Sequence, residues 1–127
     1  SGAHRFVVED CDIYGTANAG TVAGMRLACG DDLRIIGNRI YGNYTTSLGV
    51  VDNTAASLRV VISGNHIVNK TASSTKAIVL HSSTTGWVTN NRMMILSGTA
   101  PVTGAALDHI GGNYYTAAVG VTAGVLV

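Results

Sequence analysis

Charged residues are scarce in this chain: Asp, Glu, Lys and Arg together make up 12% of its 127 residues, and the net charge is +1. With so little charge and no basic cluster, the sequence lacks the electrostatic signature of a nucleic-acid-binding domain. Its apolar runs are short as well, far below the roughly 18 consecutive residues that a membrane-spanning helix needs. We therefore expect neither nucleic acid nor a membrane among the partners.

Proline, cysteine and aromatic residues are scarce too, with a single proline, two cysteines and 6% aromatics. Two cysteines do not make a disulfide framework, and Cys11 and Cys29 leave open either one bridge or two free thiols. Cysteine and histidine also lack the spacing of a zinc site. The sequence thus predicts no metal and no cofactor.

What the chain does contain is a motif repeated at intervals of 27, 27, 26 and 22 residues. The motif is an aliphatic residue, two spacers, an asparagine, one spacer and a second apolar residue, as in Ile62, Asn65 and Ile67. Self-similarity at such a period is typical of a solenoid, in which each repeat buries its apolar face against its neighbours. The position of the asparagine is occupied in the five copies by Cys11, Asn38, Asn65, Asn91 and Asn113.

The segments around these positions alternate apolar and polar residues and are rich in Val, Ile and Thr, which predicts short strands. Asparagine tolerates the left-handed backbone of a tight corner. If the asparagines stack, their amides hydrogen-bond along the column. No buried amide is then left without a partner, which would cost about 1–3 kcal/mol. We therefore predict a structural ladder through the five positions, with Cys11 as a buried thiol.

A second strand recurs between the corners, so that each repeat would hold three short parallel strands. Its predicted copies are Met25–Leu27, Val50–Asp52, Ile78–Leu80, Ala105–Leu107 and Val125–Val127. With the repeated Ile-x-Gly-Asn-x-Ile of Ile35–Ile40, this pattern resembles the right-handed parallel β-helix of pectate lyases, polysaccharide-cleaving enzymes and phage tailspikes. The resemblance implies an all-β fold of about five coils, closest in character to the β-helices of phage virions.

Residues 1–127 are predicted to form a single domain, with a last coil that tightens where only Asp108 and His109 separate Leu107 from Ile110. No capping helix precedes the first coil or follows the last, although solenoids need polar caps. We therefore expect either a segment of a longer chain or a partner that caps an end.

An outward row of mostly apolar residues is predicted on the strands after the long loops. Its members are Arg26, Val51, Val79, Ala106 and Leu126. A contiguous apolar stripe on the outside of a solenoid marks an interaction surface, and the resemblance to trimeric spikes implies a homotrimer. The alternatives are a covering loop of the same chain or a register shifted by one residue.

The candidate catalytic residues are Asp52, His81 and Asp108, which are predicted to end equivalent strands in successive coils and to stack. An enzyme that hydrolyses polysaccharides generally needs two carboxylates roughly 5–10 Å apart, and a hydrogen-bonded structural column explains the same three residues. Trp87 and the tyrosines would suit either stacking on sugar rings or packing in the core and at interfaces.

These observations favour a non-enzymatic phage virion structural protein, such as a spike, fibre or capsid-decoration module. Its expected partners are copies of itself and other virion proteins, and its expected location is the virion or the extracellular space. The alternatives are a carbohydrate-active β-helix that cleaves a polysaccharide and a module that binds glycans without catalysis.

Overall fold

A computed structural model describes residues 5–15, 23–26, 30–42, 48–52, 56–69, 76–95, 102–117 and 125–126. Every regular element in these ranges is a β-strand, so the predicted all-β class is confirmed. None of the described residues belongs to a helix long and apolar enough to cross a membrane. The strands are β1 (Phe6–Glu9), β2 (Asp12–Tyr14), β3 (Ala23–Arg26), β4 (Leu33–Ile36), β5 (Arg39–Gly42), β6 (Leu48–Asp52), β7 (Val60–Ser63), β8 (His66–Asn69), β9 (Ile78–Leu80), β10 (Gly86–Thr89), β11 (Arg92–Ile95), β12 (Val102–Thr103), β13 (His109–Gly111), β14 (Tyr114–Ala117) and β15 (Val125–Leu126).

The strands form three sheets in which elements from successive repeats lie side by side. The first sheet has the order β1-β4-β7-β10-β13, the second β15-β14-β11-β8-β5-β2, and the third β12-β9-β6-β3. All pairs are parallel except β14 and β15, which run antiparallel. The predicted parallel pairing between repeats is therefore confirmed.

Alternation along the strands places one set of side chains inside and the next outside. In the first sheet the inner file, meaning a row with one side chain from each strand, is Val8, Ile35, Ile62, Val88 and Ile110. The inner file of the second sheet is Ile13, Ile40, Ile67, Met93 and Tyr115. The middle members of both files are buried, whereas Ile110 is 40% exposed because β13 is an edge strand of its sheet.

A left-handed residue begins the corner between the first and second sheets in every repeat. These residues are Asp10, Gly37, Gly64, Asn90 and Gly112, with φ between 50° and 66°. The sequence pattern predicted this conformation for the ladder position itself, and that prediction is wrong by one residue. Glycine and short polar side chains adopt the conformation more easily than other residues, which leaves the ladder residue free to point its side chain inward.

The end of the third sheet also differs from the prediction. The strand of the fourth repeat is Val102–Thr103, paired with Ile78–Val79, and the predicted strand Ala105–Leu107 lies in the turn that follows. β-branched Val and Thr suit a strand better than alanine does. Since residues 104–108 separate β12 from β13, the predicted tightening at Asp108 is wrong as well.

The last predicted copy of the second strand has a different partner. Val125 and Leu126 pair with Tyr115 and Tyr114, so β15 extends the second sheet and does not join the third. An apolar pattern of period two predicts a strand but specifies neither its partner nor its direction.

Candidate functional site

The asparagine ladder connects four successive repeats by side-chain hydrogen bonds. The amide Nδ2 of Asn38 donates to Oδ1 of Asn65 over 3.0 Å, that of Asn65 to Asn91 over 2.9 Å, and that of Asn91 to Asn113 over 2.9 Å. Each of these Oδ1 atoms also accepts a bond from the backbone N–H of the preceding asparagine, at 2.9–3.0 Å. The predicted ladder is therefore confirmed for the four asparagines.

The second hydrogen on each Nδ2 ties the ladder to the first sheet. Asn38 donates to the carbonyl of Val8, Asn65 to that of Ile35, Asn91 to that of Ile62 and Asn113 to that of Val88, at 2.8–3.0 Å. All four asparagines are buried, with at most 1% of the residue exposed. Their amides are thus satisfied inside the stack, which explains the motif as architecture.

Cys11 occupies the first position of the ladder, but only its backbone takes part. Its N–H donates to Oδ1 of Asn38 over 3.0 Å, and its thiol donates to the carbonyl of Glu9 over 3.2 Å. The prediction of a buried thiol is wrong, because Cys11 is exposed in the corner between the edge strands β1 and β2. Cys29 lies outside the described residues.

The candidate catalytic residues do not stack in one column. Asp52 pairs with Leu80, so His81 lies one residue beyond it, and the Nδ1 atom of His81 accepts a bond from the N–H of Ser83 over 3.1 Å. Asp108 directly precedes β13 of the first sheet, and its N–H donates to the carbonyl of Gly86 over 2.9 Å. The predicted column is wrong because the strand of the fourth repeat lies earlier in the chain than expected. Within the described ranges, no three His, Cys, Asp or Glu residues are placed to hold a metal ion.

The predicted interface row is present only in part. Arg26, Val51 and Val79 lie directly opposite one another in the third sheet, and Thr103 takes the position next to Val79. Ala106 lies in a turn, and Leu126 pairs with Tyr114 in the second sheet, so neither belongs to the row. The row that is in register is therefore shorter than predicted, and Thr103 stands in it where an apolar residue was expected.

The outer face of the first sheet carries a charged depression of about 440 Å³, lined by Arg5, Asp32, Arg34, Arg59 and Val61. The guanidinium of Arg59 binds the carboxylate of Asp32 through two contacts, at 2.7 Å and 3.1 Å. A side-chain hydrogen bond from Arg59 holds the pKa of Asp32 below its ordinary value of 3.8, and the same contact raises the pKa of Arg59. Neither Arg5 nor Arg34 forms an ion pair with another residue that the structure describes.

Trp87 projects from the same face and is 54% exposed. It lies directly beside Val61 on one neighbouring strand and beside His109 on the other, with its ring centroid 5.3 Å from that of His109. Periodicity places Trp87 outside, but no sequence signal predicts the depression, because Arg5, Asp32 and Arg59 precede the strands and their contacts depend on the register between repeats.

The outer face of the second sheet consists of two parallel files. The first is Asp12, Arg39, His66, Arg92 and Tyr114; the second is Tyr14, Tyr41, Val68 and Met94, with residue 116 in register beside Met94. Both follow the alternation of side chains along a strand. Arg39 lies 3.9 Å from Asp12, and the Tyr14 and Tyr41 rings are 6.3 Å apart.

No family model, curated protein or solved structure matches this chain.

Proposed function

We propose that this chain is a non-enzymatic structural protein built as a right-handed parallel β-helix of about five coils with three short strands each. The single observation that carries this proposal is the carboxamide ladder, which bonds each repeat to the next. A regular order of strands in the three sheets supports it, and parallel crossover connections are right-handed in about 98% of cases.

In this proposal the chain is a component of a phage virion, such as a spike, fibre or capsid decoration, in contact with its own copies and with other virion proteins. Low charge, with 46% hydrophobic residues and a mean hydropathy of +0.30, suits a chain whose surface is partly covered in an assembly. Asp108 does not end the strand of the fourth repeat, which is Val102–Thr103, and this weakens the argument for a polysaccharide-cleaving site at Asp52, His81 and Asp108.

Self-association is assigned to the outer face of the third sheet, where Arg26, Val79 and Thr103 occupy one register position of β3, β9 and β12. Copies arranged around an axis along the stack would bring this face of each copy against its neighbours. The expected assembly is a homotrimer.

Light scattering coupled to size-exclusion chromatography tests this assignment. The wild-type protein should show about three times the chain mass of 13.0 kDa. A charge placed in the interface by Val79→Asp should leave a monomer, because an unpaired charge is strongly disfavoured in an apolar contact.

Val61→Asp is the matched control, since Val61 is also a half-buried valine that faces outward, but on the first sheet. It should leave the mass of the assembly unchanged. A wild-type monomer, or equal dissociation by both variants, would contradict the assignment.

A further inference from the structure

The outer face of the second sheet has the composition of a protein interface. Four of its side chains are large and exposed: Tyr14 is 63% exposed, Tyr41 36%, Met94 40% and Tyr114 40%. Tyrosine, methionine and arginine are enriched in protein–protein interfaces, whereas Lys, Glu, Asp, Ser and Ala are depleted. Asp12 is the one residue of a depleted type in the two outward files.

The charge on this face is also one-sided. Arg39, His66 and Arg92 are exposed and directly opposite one another on neighbouring strands, which places them about 4.8 Å apart along the sheet. Asp12 compensates only the end of this row, at 3.9 Å from Arg39. The two arginines carry two positive charges against the one carboxylate of Asp12, so an acidic partner would complement this face.

A second copy of this chain is a poor occupant for the face. Association through the same surface on both copies would bring Arg39 and Arg92 of one copy against the same two arginines of the other. Like charges placed against each other cost several kcal/mol at an interface. The charge pattern therefore favours a different protein over self-association at this face.

A shallow depression of about 50 Å³ lies among Tyr14, Arg39, Tyr41, His66 and Val68, with Ile40 beneath them. Val68 points outward between Tyr41 and Met94, yet it is only 8% exposed. A small apolar depression next to aromatic and arginine side chains is the usual setting of an interface anchor.

We propose that the outer face of the second sheet binds an acidic, extended segment of another protein. Carboxylates of the segment pair with Arg39 and Arg92 and accept a hydrogen bond from His66, and one aliphatic or aromatic side chain enters the depression above Val68. The five strands that carry the two files span about 20 Å across the sheet, a distance that roughly six residues of an extended segment cover. The contact is smaller than about 800 Å² per partner, so binding is transient and weakens with salt. This proposal does not depend on a virion role or on the third sheet.

A displayed library of random peptides about ten residues long, which exceeds the face in length, provides the probe. The library is sorted for binding to the wild-type protein and against the variant Arg39→Glu/Arg92→Glu. The retained peptides should be rich in Asp and Glu and should carry an aliphatic or aromatic residue. Fluorescence anisotropy of one such synthetic peptide should then show at least a roughly tenfold loss of affinity when glutamine replaces its acids.

The matched control is Arg34→Glu, which reverses the charge of another exposed, outward-facing arginine on the first sheet and should leave peptide affinity unchanged. Arg39→Gln/Arg92→Gln removes the two charges without reversing them, so this variant is less prone to misfolding than the charge-reversed one. Its affinity for the peptide should still fall by at least about tenfold. Retained peptides without acids, equal losses with Arg34→Glu, or tighter binding of a single-stranded oligonucleotide than of the peptide would overturn the proposal.

Discussion

The carboxamide of asparagine is the side chain that the ladder requires. Each internal amide donates two hydrogen bonds and its oxygen accepts two, so all groups are satisfied at 2.9–3.0 Å in the middle of the stack. Aspartate in the same position lacks the two donors and would place a column of like charges in the core. Asparagine at this position therefore holds each corner at hydrogen-bonding distance from the next.

At the residue scale, Cys11→Asn should stabilise the protein. The oxygen of Asn38 accepts one bond, from the Cys11 N–H, whereas the oxygens of Asn65 and Asn91 accept two each. A carboxamide at residue 11 would donate the second bond, which should raise the free energy of unfolding by about 0.5–1.5 kcal/mol. Chemical denaturation measures the change.

Cys11→Ala is the control for this prediction, because it removes the thiol without adding a donor. A gain of the same size in both variants would show that the thiol, and not the missing amide, limits stability at this end of the ladder.

A second prediction at this scale concerns pH. The hydrogen bond from Arg59 lowers the pKa of Asp32 below 3.8 in the folded protein, so the folded state favours the carboxylate and this contribution to stability is present above 3.8. It is lost as the pH falls through the lowered folded value. Asp32→Asn should therefore lower the Tm at neutral pH, and the difference from wild type should shrink at pH values below 3.8.

Thermal unfolding measured across this pH range tests the prediction. Asp12→Asn serves as the control, because the carboxylate of Asp12 lies 3.9 Å from Arg39 whereas that of Asp32 lies 2.7 Å from Arg59. The control should change the Tm less at neutral pH. A constant effect of Asp32→Asn at all pH values would contradict the ion-pair explanation.

At the scale of elements, the first residue of β10 lies very close to the neighbouring strand β7. Gly86 has φ of 127°, and a Cβ built on it would overlap the backbone nitrogen and carbonyl of Val60. Gly86→Ala therefore cannot be accommodated without moving β7 or β10, and it should cost more than about 4 kcal/mol. Chemical denaturation measures this loss, or expression yields no folded protein.

Gly64→Ala provides the comparison. Gly64 also has a positive φ, of 66°, but a Cβ added to it would meet no atom nearer than the backbone nitrogen of Gly37, at 3.9 Å. Only backbone strain of about 1–2 kcal/mol is expected there. Equal losses in the two variants would mean that strain alone, and not the contact with Val60, makes Gly86 necessary.

Most of the strands and the ladder could be predicted from sequence, because Ile35, Asn38 and Ile40 repeat at nearly constant intervals and alternation fixes which side faces inward. The strand Val102–Thr103 could not, since its neighbours Ala105–Leu107 are apolar and match the pattern better. The antiparallel pairing of Val125 with Tyr115 could not either, because periodicity carries no information on direction. The depression around Arg59 depends on contacts between repeats, which no local pattern encodes.

At the scale of the whole molecule, the three sheets present three chemically different outer faces. The first carries Trp87 beside an ion-paired depression, the second two arginines and a histidine among tyrosines, and the third the short row that contains Val79. Each sheet can therefore bind a different partner. The proposed self-association uses the third sheet, and the proposed acidic segment binds to the second.

The intervals between ladder positions are 27, 27, 26 and 22 residues, yet the bonds that join them from N–H to Oδ1 all measure 2.9–3.0 Å. Corner geometry, and not segment length, determines where each repeat sits. Insertions and deletions in the connecting segments are therefore absorbed locally, with a closure cost that grows only slowly with length. Foreign peptides grafted between β11 and β12 would leave the three outer faces aligned.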